Sequence, residues 1–143
     1  MVGANRLRNA NFELGTIEGW TKLGDGEAAC VKGNGWGNKV YGDGRAEPLG
    51  TSLQELRLSG AAGVEQTVTG LTPGQTYTLT GWLKVSEGAK ATLSVAGQTV
   101  EVSQEAWTRQ TLRFVAPADG QVVVSIRKLA GDGHAWADVL GLT

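Results

Sequence analysis

The sequence predicts an all-β domain, an antiparallel β-sandwich of the jelly-roll type with two packed sheets, and three observations carry that expectation. Apolar and polar residues alternate with period two from Leu53 onward, with turn signals at the spacing of a sandwich or barrel. Glycine is abundant (22) and proline scarce (3), a mix that suits many turns between short strands. No stretch carries a helical apolar period of useful length. A chain of 143 residues suits one domain, 1–143, and no internal repeat, charge block or linker divides it.

The predicted elements follow in order. Ser52 to Leu58 places Leu56 and Leu58 on one face, and Gly63 to Val68 turns Val64 and Val68 inward. Leu71-Thr-Pro-Gly74 turns the chain into Thr76 to Val85, which ends at Glu87-Gly88. In that strand Tyr77, Leu79, Leu83 and Val85 face inward, leaving Thr78, Thr80, Trp82 and Lys84 opposite. Ala91 to Val95 and Gln98 to Val102 form a hairpin across Ala96-Gly97. Trp107 to Val115 follows, with Leu112 and Phe114 inward and Thr111 and Arg113 outward. Gln121 to Lys128 sends Val122, Val124 and Ile126 inward and Gln121, Ser125 and Arg127 outward. Gly131-Asp-Gly133 then leads into Ala135 to Leu142, where Trp136, Asp138, Leu140 and Leu142 share a parity expected to face the core. The amino-terminal third is less regular: Gly-Asp-Gly26, Gly-Asn-Gly-Trp-Gly37 and Gly-Asp-Gly44 read as loop tips around short strands at Ala28 to Lys32 and Lys39 to Tyr41.

Composition removes several function classes. A net charge of -1 and a pI near 5.8 lack the basic footprint of a nucleic-acid binder, and no apolar run reaches membrane-spanning length. Cys30 is the single cysteine, so neither a disulfide framework nor a Cys-rich zinc site is expected, and it reads as a small buried hydrophobe. Met1-Val-Gly carries neither the charged nor the apolar region of a signal peptide, which an excised domain of a secreted protein would also lack.

Two acidic motifs stand near the chain ends: Asn9-Ala-Asn-Phe-Glu13 with Gly19-Trp20, and Trp136-Ala-Asp-Val-Leu140. If the ends meet, Glu13 and Asp138 come together, and two carboxylates in a low dielectric call for a cation between them. These motifs, with Gly63-Val-Glu-Gln-Thr-Val-x-Gly-Leu-x-Pro-Gly-x-x-Tyr77, Trp82-Leu-Lys84, and Trp107 with Phe114, resemble the β-jelly-roll carbohydrate-binding modules of the family 4, 9 and 22 type. The likeness spans nearly the whole chain. It implies a galactose-binding-domain topology and, in many such modules, a polysaccharide groove on the concave sheet. It also implies a structural Ca2+ held by Glu13 and Asp138, with Asn11 a further candidate by position and hard oxygen ligands suiting that ion. The chain departs from the usual ending at Val139, where a second acidic residue often stands. Without a metal, Glu13 would bond backbone amides and Asp138 would cap a turn.

Trp82 is a tryptophan on a polar face, and sugar C–H faces stack on aromatic rings while their hydroxyls need donors and acceptors nearby. Trp82 beside Thr80 and Lys84 is therefore the expected platform, the alternative being that a loop covers it. Trp36 within Gly33-Asn-Gly-Trp-Gly-Asn38, with Tyr41 nearby, is a candidate second platform or a loop anchor. Gln66, Arg113 and Arg127 are further polar candidates, and Lys84, Arg113 and Arg127 sharing a surface would favour an anionic glycan. Trp20, Trp107 and Trp136 are assigned to core or edge packing.

Enzyme signatures are wanting: no Gly-x-Ser-x-Gly, His-Glu-x-x-His or phosphate loop occurs, and the lone His134 beside Asp132 reads as a solvated turn. The expected function is that of a non-catalytic module that targets a larger secreted or cell-surface protein to a polysaccharide or oligosaccharide. Its partners are that glycan and an appended catalytic domain, with no nucleic acid and no membrane, and it acts as a monomer. The alternative is a structural or adhesive jelly roll that uses the same outward face for protein contact.

Overall fold

The computed structural model describes residues 5–10, 12, 16–32, 39–40, 46–47, 54–105, 108–129 and 131–143. Within them lie twelve strands and no helix: β1 (Thr21–Gly24), β2 (Glu27–Lys32), β3 (Lys39–Val40), β4 (Ala46–Glu47), β5 (Gln54–Ser59), β6 (Ala62–Val68), β7 (Thr76–Val85), β8 (Ala91–Val95), β9 (Gln98–Val102), β10 (Thr108–Val115), β11 (Val122–Lys128) and β12 (His134–Leu142). The first sheet runs β1-β6-β11-β8-β9, the second β10-β7-β12-β5-β2, and β3 pairs with β4. Every pairing is antiparallel. From β5 onward the chain crosses repeatedly between the sheets, so neighbours within a sheet are mostly not neighbours in sequence.

Alternation explains why these strands form and how they pack. Leu56, Leu58, Leu79, Leu83, Val85 and Leu142 line the inner face of the second sheet, and Val64, Leu93, Val95, Val124 and Ile126 meet them from the first. The hairpin between β8 and β9 turns on Ala96 and Gly97, both at positive φ (51° and 79°), as a type I′ two-residue loop requires. The turn before β7 is pinned by Tyr77, whose hydroxyl oxygen accepts from Thr72 N at 2.9 Å. That bond holds the phenol's pKa below its ordinary 10.0.

The two chain ends do meet. Arg6 N donates to Leu142 O (2.9 Å), Leu140 N donates to Ala10 O (2.9 Å), and Asn5 bonds both Leu140 O and Leu142 N through its side chain. Gln66 then ties this segment to the other sheet. It lies inward with Val64 and Val68, is buried, and accepts from Arg8 N (2.8 Å) while donating to Arg8 O (3.0 Å). Its expected place on a ligand face is thereby corrected: parity sends it into the sandwich, where a backbone partner satisfies it.

Lys128 also points inward, at the end of β11. Its buried ammonium donates to Gly60 O (3.2 Å), Leu129 O (3.1 Å) and Gly131 O (2.9 Å), bridging two loops. Cys30 packs half-buried against the core.

Candidate functional site

The outer face of the second sheet gathers most of the chemistry, and the strand register fixes its rows. In one row Arg109 of β10, Trp82 of β7 and Asp138 of β12 are direct neighbours. In the next, Lys84, Trp136, Arg57 and Ala29 run across β7, β12, β5 and β2. A third places His134 beside Ser59 and Ser59 beside Glu27.

Trp136 belongs to this face, which corrects its assignment to the core. The cause is a β-bulge between Asp138 and Gly141 where β12 meets β7. One extra residue inverts the parity of the strand, so Trp136 and Asp138 face outward while Leu140 and Leu142 face inward. Leu140 then fills the space left by Gly81, where an added Cβ would stand 2.5 Å from its Cδ1. No single-strand parity argument detects such an inversion.

Trp136 is half-buried and flanked by cations. Lys84 Nζ lies 4.9 Å from its ring centroid, and His134 meets it edge-on at 5.6 Å between centroids. Arg57 stands on its other side and donates from Nη2 to Glu27 Oε1 at 3.2 Å. The Arg57 Nε is buried without a hydrogen-bond partner among the described residues. His134 Nδ1 is 2.7 Å from Ser59 Oγ, so the histidine read as part of a solvated turn opens β12, half-buried and bonded.

Trp82 faces outward as its parity predicts, but it is only 5% exposed and lies apart from the main core cluster. Asp138 and Glu55 are likewise buried on this face, at 0% and 1% exposure. The centre of the face is therefore closed, and among the described residues Trp136 is its accessible ring. Arg113 shares the face, in register with Thr78. Arg127 does not. It projects from β11 on the outside of the first sheet and lines, with Leu23 and Gly63, a cavity of about 230 Å³. Lys84, Arg113 and Arg127 thus do not form one surface, because β11 and β7 belong to different sheets. Arg109, Arg57 and Trp136 are the members of the face that sequence reasoning passed over. Arg109 shares parity with Arg113 and was legible; Arg57 needed strand order, and Trp136 needed the bulge.

Glu13, Asn11, Trp36, Tyr41 and Trp107 lie outside the described residues. Among the described residues no group of three or more His, Cys, Asp or Glu side chains gathers around a common point. Of the expected calcium ligands, Asp138 is described, fully buried and close in sequence to the Leu140–Ala10 bond. In the same segment Asn9 Nδ2 donates to Thr16 O and Glu18 O, and its Oδ1 is buried with no hydrogen-bond partner among the described residues.

No protein-family model matches the chain, and no curated protein matches it. Its structure is similar to that of TmCBM61 in complex with beta-1,4-galactotriose, at a TM-score of 0.74 and 19% identity over 99% of each chain. It is similar to a family 16 carbohydrate-binding module, module 2, at a TM-score of 0.68 and 21% identity, covering 97% of this chain and 99% of that one. It also matches the CBM22-1-GH10 modules of Clostridium thermocellum endo-1,4-beta-D-xylanase 10B complexed with xylohexaose, at a TM-score of 0.65 and 17% identity, covering 99% of this chain and 28% of that one. Two antiparallel sheets in this order, together with those likenesses, give the chain the β-jelly-roll fold of carbohydrate-binding modules.

Proposed function

We propose that the chain is a non-catalytic carbohydrate-binding module whose ligand lies on the outer face of the β10-β7-β12-β5-β2 sheet. The observation that carries this reading is Trp136, an accessible ring set in register between Lys84 and Arg57, one row from the buried Trp82. A pyranose stacks its C–H face on such a ring, and the flanking cations donate hydrogen bonds to its hydroxyls. The beta-1,4-galactotriose and xylohexaose complexes among the similar structures support an oligosaccharide ligand, and the xylanase chain supports attachment to a catalytic domain. In that role the module is a monomer that holds a secreted or cell-surface enzyme at its polysaccharide. Affinity electrophoresis through gels cast with individual plant and microbial polysaccharides tests the reading. Retardation by at least one polymer is expected; unretarded migration in all of them contradicts it.

A structural Ca2+ joined by Glu13, Asp138 and Asn11 is part of the same proposal. Support comes from the buried Asp138, the orphaned Asn9 Oδ1, and the Leu140–Ala10 bond that brings the two motif-bearing segments together. Such oxygens suit calcium, which would neutralise the buried charge at the junction of the chain ends. Saturation a hundredfold above the dissociation constant contributes ~2.7 kcal/mol. Chelation is therefore expected to lower the melting temperature by about 5–10 °C while changing glycan binding little. An unchanged melt, with no metal in the purified protein, rules the ion out.

A further inference from the structure

We propose that the glycan bound by this face is anionic, with its carboxylates held along the β10 edge by Arg109 and Arg113. This rests on the carbohydrate-binding reading above and adds the chemical class of the ligand. Arg109, Thr111 and Arg113 alternate along β10, all exposed and all on the outer face, in register with Trp82, Thr80 and Thr78 of β7. Four residues of strand set the two guanidinium-bearing positions about 13 Å apart, with a hydroxyl between them. With Lys84 they place three positive charges on the β10 and β7 half of the face. None of the outward residues of those two strands is acidic.

Among the described residues the acids of the face all stand on the other half. Asp138 and Glu55 are buried on β12 and β5, and Glu27 on β2 is already engaged by Arg57. Among the described residues neither Arg109 nor Arg113 has an acidic partner within salt-bridge distance, in a chain whose net charge is -1. The face is thus polarised across its strands, positive and open at β10, acidic and closed toward β5. A guanidinium fork matches a carboxylate with two parallel hydrogen bonds, a geometry neutral hydroxyls do not reproduce. A polymer of uronic acids fits that half: its rings reach Trp136 while its carboxylates meet the arginine row.

The test is affinity electrophoresis of the full chain in polygalacturonate, alginate and glucuronoxylan, each paired with its carboxyl-reduced, neutral form. The R109Q/R113Q variant is run alongside, and a matched melting curve checks its fold. At least one uronate is expected to retard the wild type tenfold more strongly than its reduced form. That preference should weaken with added salt and disappear in the variant. If a neutral polysaccharide binds and no uronate exceeds its reduced counterpart, or if the variant keeps the preference, the anionic assignment falls and the binding face stands. If no polysaccharide of either kind retards the wild type, the carbohydrate-binding reading falls and this inference with it.

Discussion

Replacing Trp136 by alanine is expected to weaken glycan binding at least 30-fold and to leave the sandwich folded. Aromatic anchors at the centre of a binding surface typically contribute about 2 kcal/mol or more, which is that factor in affinity. Trp136 is half-buried and its contacts with Lys84 and His134 are made at the surface of the sheet. Its loss should therefore cost folding only ~1 kcal/mol, or about 2–4 °C in melting temperature. Trp82 differs, because a 5% exposed ring leaves a cavity when truncated, and a binding loss there would be entangled with a loss of stability. Isothermal titration with the retained glycan, beside a thermal melt, separates the two effects. Wild-type affinity in a folded W136A would place the ligand elsewhere.

Lys128→Met is expected to be the most destabilising single change outside the apolar core, at about 3–5 kcal/mol. Methionine keeps the length of the side chain and removes the ammonium that bonds Gly60 O, Leu129 O and Gly131 O. Three carbonyls then lose a charged donor at once. The loops they belong to precede β6 and β12, so amide exchange should accelerate first around residues 59–61 and 131–134. Those loops flank the Ser59–His134 bond at the edge of the candidate face. Urea denaturation measures the global cost, and a loss below about 1 kcal/mol would mean that water replaces the ammonium without penalty.

Much of the architecture was legible because period-two alternation is a local signal. It located β7, β8 and β9 with their observed ends and oriented every named core residue of β5, β6, β7, β10 and β11 correctly. The edge strand β1 escaped it: three of its four residues are exposed and the fourth is half-buried, so no apolar stripe marks it. Likewise Lys128 shares the inward parity of Val124 and Ile126, but its burial depends on carbonyls brought from distant turns. The meeting of the ends was read from the paired motifs and is seen in the Asn5, Arg6 and Ala10 bonds. The site was less legible than the fold. Its composition depends on which strands are adjacent, which separates Arg127 from Trp82, and on one bulge that turns Trp136 outward. Neither follows from the local residues, because both arise only when whole sheets pair.

The outer face of the second sheet, with Trp136 as its accessible ring, is the proposed sugar contact. Two-dimensional 1H–15N spectra recorded while an oligosaccharide of the retained polymer is added test it most directly. The indole N–H of Trp136 and the backbone amides of Lys84, Arg109 and Arg57 are expected to shift with a common saturation curve. The indole of Trp20, buried and donating to Asn9 O, should stay in place. A saturable shift confined to the first sheet, around Ser94, Thr99 and Arg127, with the Trp136 indole unmoved, would contradict the account.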